Sequence, residues 1–297
     1  MVHALTHALG QLGISAQRLH LWRVLQYHLV IRPVGRILQI WRDSRVLSVE
    51  MMHMLSRHRT LALCALGLVI LACLWLLSPH DLECLAWLQQ AKSAGKMVPI
   101  KKMAQALSYW GDFLGFNMIV LLGVFSCSLL YRSRFLRLVV VASLLGSLFT
   151  GGSANVIRAL IGRARPSAKV APGFYGPNLQ AQLHSCPSGH TATAFGGSIP
   201  VAVALPPVGV PLMITAGCIA WSRMYNNAHH PTDIVISMAL ASVFGIPLGL
   251  LARRMRRYPA LRLQKYAALS SRKPEKWSEV VREPSPPPSS YVPHSDP

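Results

Sequence analysis

Apolar residues in this chain fall in long, nearly unbroken runs. An amphipathic helix would repeat them every three or four positions, and a half-buried strand every second one. Six runs stand out: Thr60–Ser78, Phe113–Tyr131, Leu136–Leu160, Ser188–Leu205, Val208–Tyr225 and Thr232–Ala252. Several approach the ~20 residues a helix needs to cross a bilayer, and Pro206-Pro207 breaks the fourth run from the fifth. The pattern predicts an all-α, polytopic membrane protein whose residues 60–252 form a bundle of six transmembrane helices. The alternative is a soluble protein with buried helices, and the run lengths count against it.

The flanks read differently. Residues 1–59 interleave Arg with Leu, Ile, Val and Trp, as in "LHLWRVLQYHLVIRPVGRILQIWRDSRVL". That mixture predicts one or two amphipathic helices on the membrane surface, broken near Pro33. The segment lacks the pattern of a signal peptide, and a start at Met51, Met52 or Met54 is the alternative reading. Residues 253–297 begin basic and end in "REPSPPPSSYVPHSDP", too poor in apolar groups for a core. A disordered tail is expected there.

Composition agrees with the run pattern. Of 297 residues 52% are hydrophobic and 13% charged, against roughly a quarter charged in soluble proteins. The formal net charge is +20. Its Lys and Arg cluster before residue 60, around 132–137 and after 253, and no nucleic-acid motif accompanies them. They read as cytoplasmic anchors. "YRSRFLR" between runs two and three and "ARRMRR" after run six then lie inside with both termini. Lys92, Lys96, Lys101 and Lys102 on the outer side count mildly against this topology. Cys84 and Cys186 also fall on the outer side, where a disulfide between them is a candidate.

Three polar clusters land together at the outer ends of runs three to six. "RALIGRARP", Arg158–Pro166, carries three arginines. Arg158 and Arg165 share a face if the helix persists and suit a tetrahedral oxyanion, while Arg163 reads as a snorkelling anchor. "PSGH", Pro187–His190, offers a hydroxyl and free N–H groups at a helix start. In "SRMYNNAHHPTD", Ser222–Asp233, His229 and Asp233 are four apart. Pro231 would start run six, and the Asp233 carboxylate would bond one ring nitrogen of His229, leaving the other as nucleophile or base. Only one carboxylate, Asp233, lies between Phe113 and Pro274, which leaves almost no means of holding Mg²⁺ or Ca²⁺. His184, Cys186, His190, His229, His230 and Asp233 could supply zinc ligands, but no pair has a standard zinc spacing and the arginines repel a cation. No metal is expected.

Order and spacing of the clusters resemble the type 2 phosphatidic acid phosphatase family. Its signature is Lys, six residues, Arg-Pro; then Pro-Ser-Gly-His; then Ser-Arg, five residues, His, three residues, Asp. This chain departs once, with Arg158 in place of Lys, which keeps the charge and lengthens the reach. The resemblance covers about residues 109–252 and implies a helical, metal-free phosphohydrolase of a bacterial inner membrane with its site facing the periplasm. It implies that His229 attacks phosphorus, Asp233 orients His229, and His190 protonates the leaving oxygen and then activates water. Arg158, Arg165, Ser188, Gly189 and Arg223 would hold the phosphoryl oxygens, and no cofactor is needed. His230 has no family role and reads as a rim residue. "YWGD", Tyr109–Asp112, also resembles the family, with Asp112, taken as the only other carboxylate close to the outer face, capping run two. The implied partner is a membrane lipid phosphate: polyprenyl diphosphate, phosphatidylglycerol phosphate, phosphatidic acid or lipid A. A phosphotransferase would use the same intermediate. A haloperoxidase of similar site is soluble in its known type, and a non-catalytic lipid carrier would not need the complete histidine and aspartate set.

Overall fold

A computed structural model describes residues 32–57, 59–94, 98–111, 115, 118–131 and 133–257. The described elements form one unit, Met1–Arg256; of the second, Arg257–Pro297, only Arg257 is described. The first 31 residues, Asp112 and the expected tail beyond Arg257 therefore lie outside the described residues, while the tail's first five residues, 253–257, continue the last helix.

The described chain is helical. In order, the helices are α1 (Arg32–Arg57), α2 (Arg59–Leu76), α3 (Asp81–Ser93), α4 (Val98–Trp110), α5 (Met118–Leu130), α6 (Arg134–Ile161), α7 (Gly189–Ala204), α8 (Pro206–Tyr225) and α9 (Pro231–Arg257), with single 3₁₀ turns at Ser78–His80 and Ala181–Leu183. Four apolar runs become α6 to α9 with ends within a few residues of those expected, because each boundary carries its own signal. Ser133 caps α6, its Oγ accepting from the Leu136 N–H at 3.3 Å. Gly162 ends α6 in the left-handed region at φ 60° and donates to the Arg158 carbonyl at 3.1 Å. A side chain at Gly162 would strike the Gly176 carbonyl, so glycine is required twice over. Pro206 and Pro231 start α8 and α9.

The bundle is held by close helix crossings. A Cβ on Gly146 would collide with the Gly196 carbonyl, so α6 and α7 meet backbone to backbone. Ser143 Oγ donates to the Gly197 carbonyl at 2.8 Å and Ser147 Oγ to the Thr193 carbonyl at 3.0 Å across the same crossing. Gly245 and Gly249 let α9 approach Ile199, Pro200 and Val203 of α7. Phe195, Ile199, Ala216, Ile219 and Ile234 fill the space between α7, α8 and α9.

Two described helices, α6 and α9, are long and apolar enough to cross a membrane. A third crossing is available if the pair Cys64–Leu76 and Ser78–Ser93, bent by 41°, is one span. α7, at 16 residues, is about 24 Å long, short of the ~30 Å hydrocarbon core.

Three expectations need correction. Residues 32–57 are one helix starting at Pro33's neighbour, but it is not merely laid on a surface. Leu47 and Met51 are buried with Leu138, Val141, Leu248 and Leu251, and the buried Asp43 accepts from Arg137 Nε at 2.9 Å. The other face keeps Ile37, Leu38, Trp41 and Met52 exposed. Second, Cys84 and Cys186 are both free thiols. The buried stripe of α3 is Asp81, Leu85 and Leu88, so Cys84 points off it and is exposed, while Cys186 is buried against Ile236. Third, α6 stops at Ile161, so Arg165 does not continue the helical face of Arg158. It sits in the following loop, its N–H donating to the Gln182 carbonyl at 2.9 Å.

Candidate active site

The sharp turn at Gly162 sends the chain back across the end of the bundle. The Ala164 N–H donates to the Gly173 carbonyl at 3.0 Å, and the Ser185 N–H to the Arg163 carbonyl at 3.0 Å. This loop carries Arg163 and Arg165 against the start of α9, while Arg158 remains on the last turn of α6. Arg158 also reaches the start of α7. A Cβ on Gly189 would lie 3.0 Å from Arg158 Nη1, so the glycine of "PSGH" makes room for that guanidinium. The helix itself begins at Gly189, with Ser188 rather than Pro187 at its boundary. Ser188 is fully buried. Its Oγ accepts from Thr191 Oγ1 at 3.0 Å, and its N–H donates to Ser237 Oγ at 2.8 Å. His190, one residue into the helix, is half-buried.

His229 sits in the short turn between α8 and α9 and is 1% exposed. Its Nδ1 lies 2.7 Å from the Ser185 carbonyl oxygen. A carbonyl only accepts, so Nδ1 carries the proton and Nε2 carries the lone pair. Burial, helped by the charges of Arg223 and Arg165, pulls the ring's pKa down to about 3, against the opposing effects of Asp233 and the Ser185 carbonyl. The ring is therefore neutral at physiological pH, as a nitrogen nucleophile must be. The two arginines also place positive charge beside it. Arg165 has its own pKa lowered by burial and by Arg158, partly countered by Asp233. Its Nε is buried without a hydrogen-bond partner among the described residues. Arg223, on the last turn of α8, bonds Ser108 of α4 through Nη1.

Asp233 is fully buried in the first turn of α9, but its contact with His229 differs from the expected one. The carboxylate is 3.9 Å from His229 Nδ1, beyond a hydrogen bond, because the Ser185 carbonyl occupies that position. Asp233 Oδ1 instead accepts from Arg163 Nη1 at 2.6 Å, and Oδ2 from Ser185 Oγ at 2.5 Å and the His230 N–H at 2.8 Å.

Sequence reasoning missed three participants. Arg163 is no snorkelling anchor: it is 6% exposed and spans two carboxylates, Asp233 and Asp81, the latter accepting from Nη2 at 2.7 Å. Burial opposes its charge, yet Asp233 and Asp81 outweigh that and raise its pKa. Asp81 also accepts from the Thr232 N–H at 3.0 Å, so this end holds a carboxylate that the sequence reading did not count. His230 is buried at 4% exposure rather than on a rim, with Nδ1 3.3 Å from Asp233 Oδ2. The available signal was Asp81 itself, since an acidic residue beside apolar spans usually has a partner. Beside this network lies a cavity of about 260 Å³, lined by Leu82, Leu85, Arg165, Pro166, Asn227 and His230 among others. No group of three His, Cys, Asp or Glu side chains among the described residues is arranged to hold a metal.

Comparison with known proteins agrees with the motifs. The model of the PAP2 superfamily matches residues 118–257. A lipid A 1-phosphatase of Rhizobium johnstonii is 27% identical over 161 residues, covering 50% of this chain and 66% of that protein. A lipid A 1-phosphatase of Rhizobium etli is 26% identical over 160 residues, covering 50% and 69%. The chain thus spans about two thirds of the length of these relatives. A transmembrane PAP2-type phosphatidylglycerolphosphate phosphatase from Bacillus subtilis aligns in structure over 74% of this chain and 98% of its own, at 16% identity and a TM-score of 0.36. Every residue the three motifs name, from Arg158 to Asp233, falls inside the matched region, and that region of the chain is similar to the PAP2 superfamily.

Proposed function

We propose that this chain is an integral membrane lipid phosphatase that works through a phosphohistidine on His229 without a metal. The observation that carries the reading is the His229 ring: buried, neutral, its Nδ1 proton held by the Ser185 carbonyl and its neighbours Arg165 and Arg223 cationic. Nε2 attacks phosphorus and the bond to the lipid oxygen breaks, with His190 giving its proton to that oxygen. His190 then takes a proton from water, the resulting hydroxide attacks phosphorus, and the P–N bond breaks to return neutral His229 and free phosphate. Arg158, Arg165, Arg223, Ser188 and the Gly189 N–H hold the three equatorial oxygens. Positioning and charge supply most of the rate in such transfers. The negative charge of Asp233, 3.9 Å from Nδ1, stabilises the ring as it becomes positive.

Membrane placement follows from charge. Arg134 and Arg137 stand at one end of α6 and Arg158 near the other, with Arg134 and Arg158 about 36 Å apart along the axis. Arg253, Arg254 and Arg256 close α9. In this reading six spans cross a bacterial inner membrane, both termini are cytoplasmic, and the phosphate site faces the periplasm. The likeness to lipid A 1-phosphatases favours lipid A over polyprenyl diphosphate, phosphatidylglycerol phosphate and phosphatidic acid as substrate. Phosphate release from these four lipids by purified protein in detergent tests the reading. Release with lipid A preferred, undiminished by EDTA, is expected. Abolition by EDTA overturns the metal-free mechanism, and transfer of the phosphoryl group to a second lipid without free phosphate overturns hydrolysis.

A further inference from the structure

We propose that Asp81, Arg163 and Ser185 form a positioning relay that fixes Asp233 and, through the Ser185 carbonyl, aims the ring of His229. The inference rests on the phosphohistidine reading above. Ser185 is fully buried and uses all three of its polar groups on this assembly. Its N–H donates to the Arg163 carbonyl at 3.0 Å, its Oγ to Asp233 Oδ2 at 2.5 Å, and its carbonyl accepts from His229 Nδ1 at 2.7 Å. Because Asp233 itself stands 3.9 Å from Nδ1, the ring takes its direction from a backbone carbonyl whose own residue the carboxylate holds. Asp233 is fixed in turn by Arg163 at 2.6 Å, and Arg163 by Asp81 at 2.7 Å.

Charge argues the same way. Two buried carboxylates and one guanidinium are a costly way to pin a loop, since apolar packing of similar volume commonly does as well. What the trio supplies and apolar packing cannot is one net negative charge beside a ring that becomes cationic on phosphorylation. Asp81 comes from the start of α3, and it also accepts from Thr232 Oγ1 at 2.8 Å, one residue before Asp233. The site thereby depends on a residue outside the region 118–257 that the family model matches.

The test uses the full chain in detergent, with kcat, KM and inhibition by inorganic phosphate measured for Ser185→Ala, Asp81→Asn, Arg163→Lys, Arg163→Met and His229→Ala. Ser185→Ala and Asp81→Asn are expected to lower kcat about tenfold or more, the effect of roughly one pKa unit of field on the ring. KM and phosphate inhibition should stay within about twofold of the parent. Arg163→Lys should recover part of what Arg163→Met loses, and the Ser185→Ala/Asp81→Asn pair should cost less than the product of its parts. Folded Ser185→Ala protein with parental kcat, or with only KM raised, overturns the relay. If Asp81→Asn does not fold, Ser185→Ala, which removes a single hydroxyl, decides alone. An active His229→Ala chain overturns the phosphohistidine reading itself, whereas an inactive one beside a normal Ser185→Ala chain overturns only the relay.

Discussion

Replacing His229 by Ala removes phosphate release almost completely, by at least about 10³-fold in kcat, the scale seen when the nucleophile of a covalent mechanism is deleted. The protein should stay folded with some loss of stability, because removing the buried ring leaves a small cavity but no uncompensated charge. KM or phosphate inhibition should change little, since the proposed mechanism assigns the phosphoryl oxygens to Arg158, Arg165, Arg223 and the start of α7 rather than to His229. Steady-state phosphate release, with a thermal melt in detergent as the control for folding, checks this. Retained turnover would remove His229 from the mechanism.

Asp233→Asn is expected to lower kcat by roughly 10³-fold, comparable to loss of the orienting carboxylate in other histidine-based sites. It should also destabilise the fold by about 3 kcal/mol, the lower end for breaking a buried ion pair. Every group facing the carboxylate is a donor: Arg163 on Oδ1, Ser185 and the His230 N–H on Oδ2. An amide must turn its NH₂ toward one of these sets, so no rotamer satisfies both. Arg163 is then left with Asp81 as its one carboxylate in a site from which water is largely excluded. A larger fall in melting temperature together with the lost kcat distinguishes this from His229→Ala, which breaks no ion pair.

The contrast between these two variants marks where the sequence was legible. The boundaries of α6 to α9 could be read because apolar runs end at residues with a local mechanism: Gly162 for a left-handed cap, Pro206 and Pro231 for helix starts. The eight motif residues could be proposed because their spacing is local. The residues that organise them could not. Asp81 reaches Arg163 across 82 positions and Arg163 reaches Asp233 across 70, and no spacing rule connects such distant groups. Ser185 acts on His229 through a backbone carbonyl, which every residue possesses and no sequence displays. Arg163 was misread because an arginine at a span end is ordinarily an anchor; only the inward turn at Gly162 makes it a buried clamp. Likewise the buried face of α1 follows Asp43, Leu47 and Met51 at four-residue intervals, a pattern hidden among arginines that pointed toward a lipid surface.

In the proposed mechanism phosphate passes through His229. The most direct measurement is to mix the protein briefly with the lipid phosphate it hydrolyses, quench in alkali, where a phosphoramidate survives, and locate the phosphoryl group by peptide mass spectrometry. In the parent chain quenched during turnover the label should sit on His229. Label on another side chain, or none while the lipid is still turned over, would contradict the account.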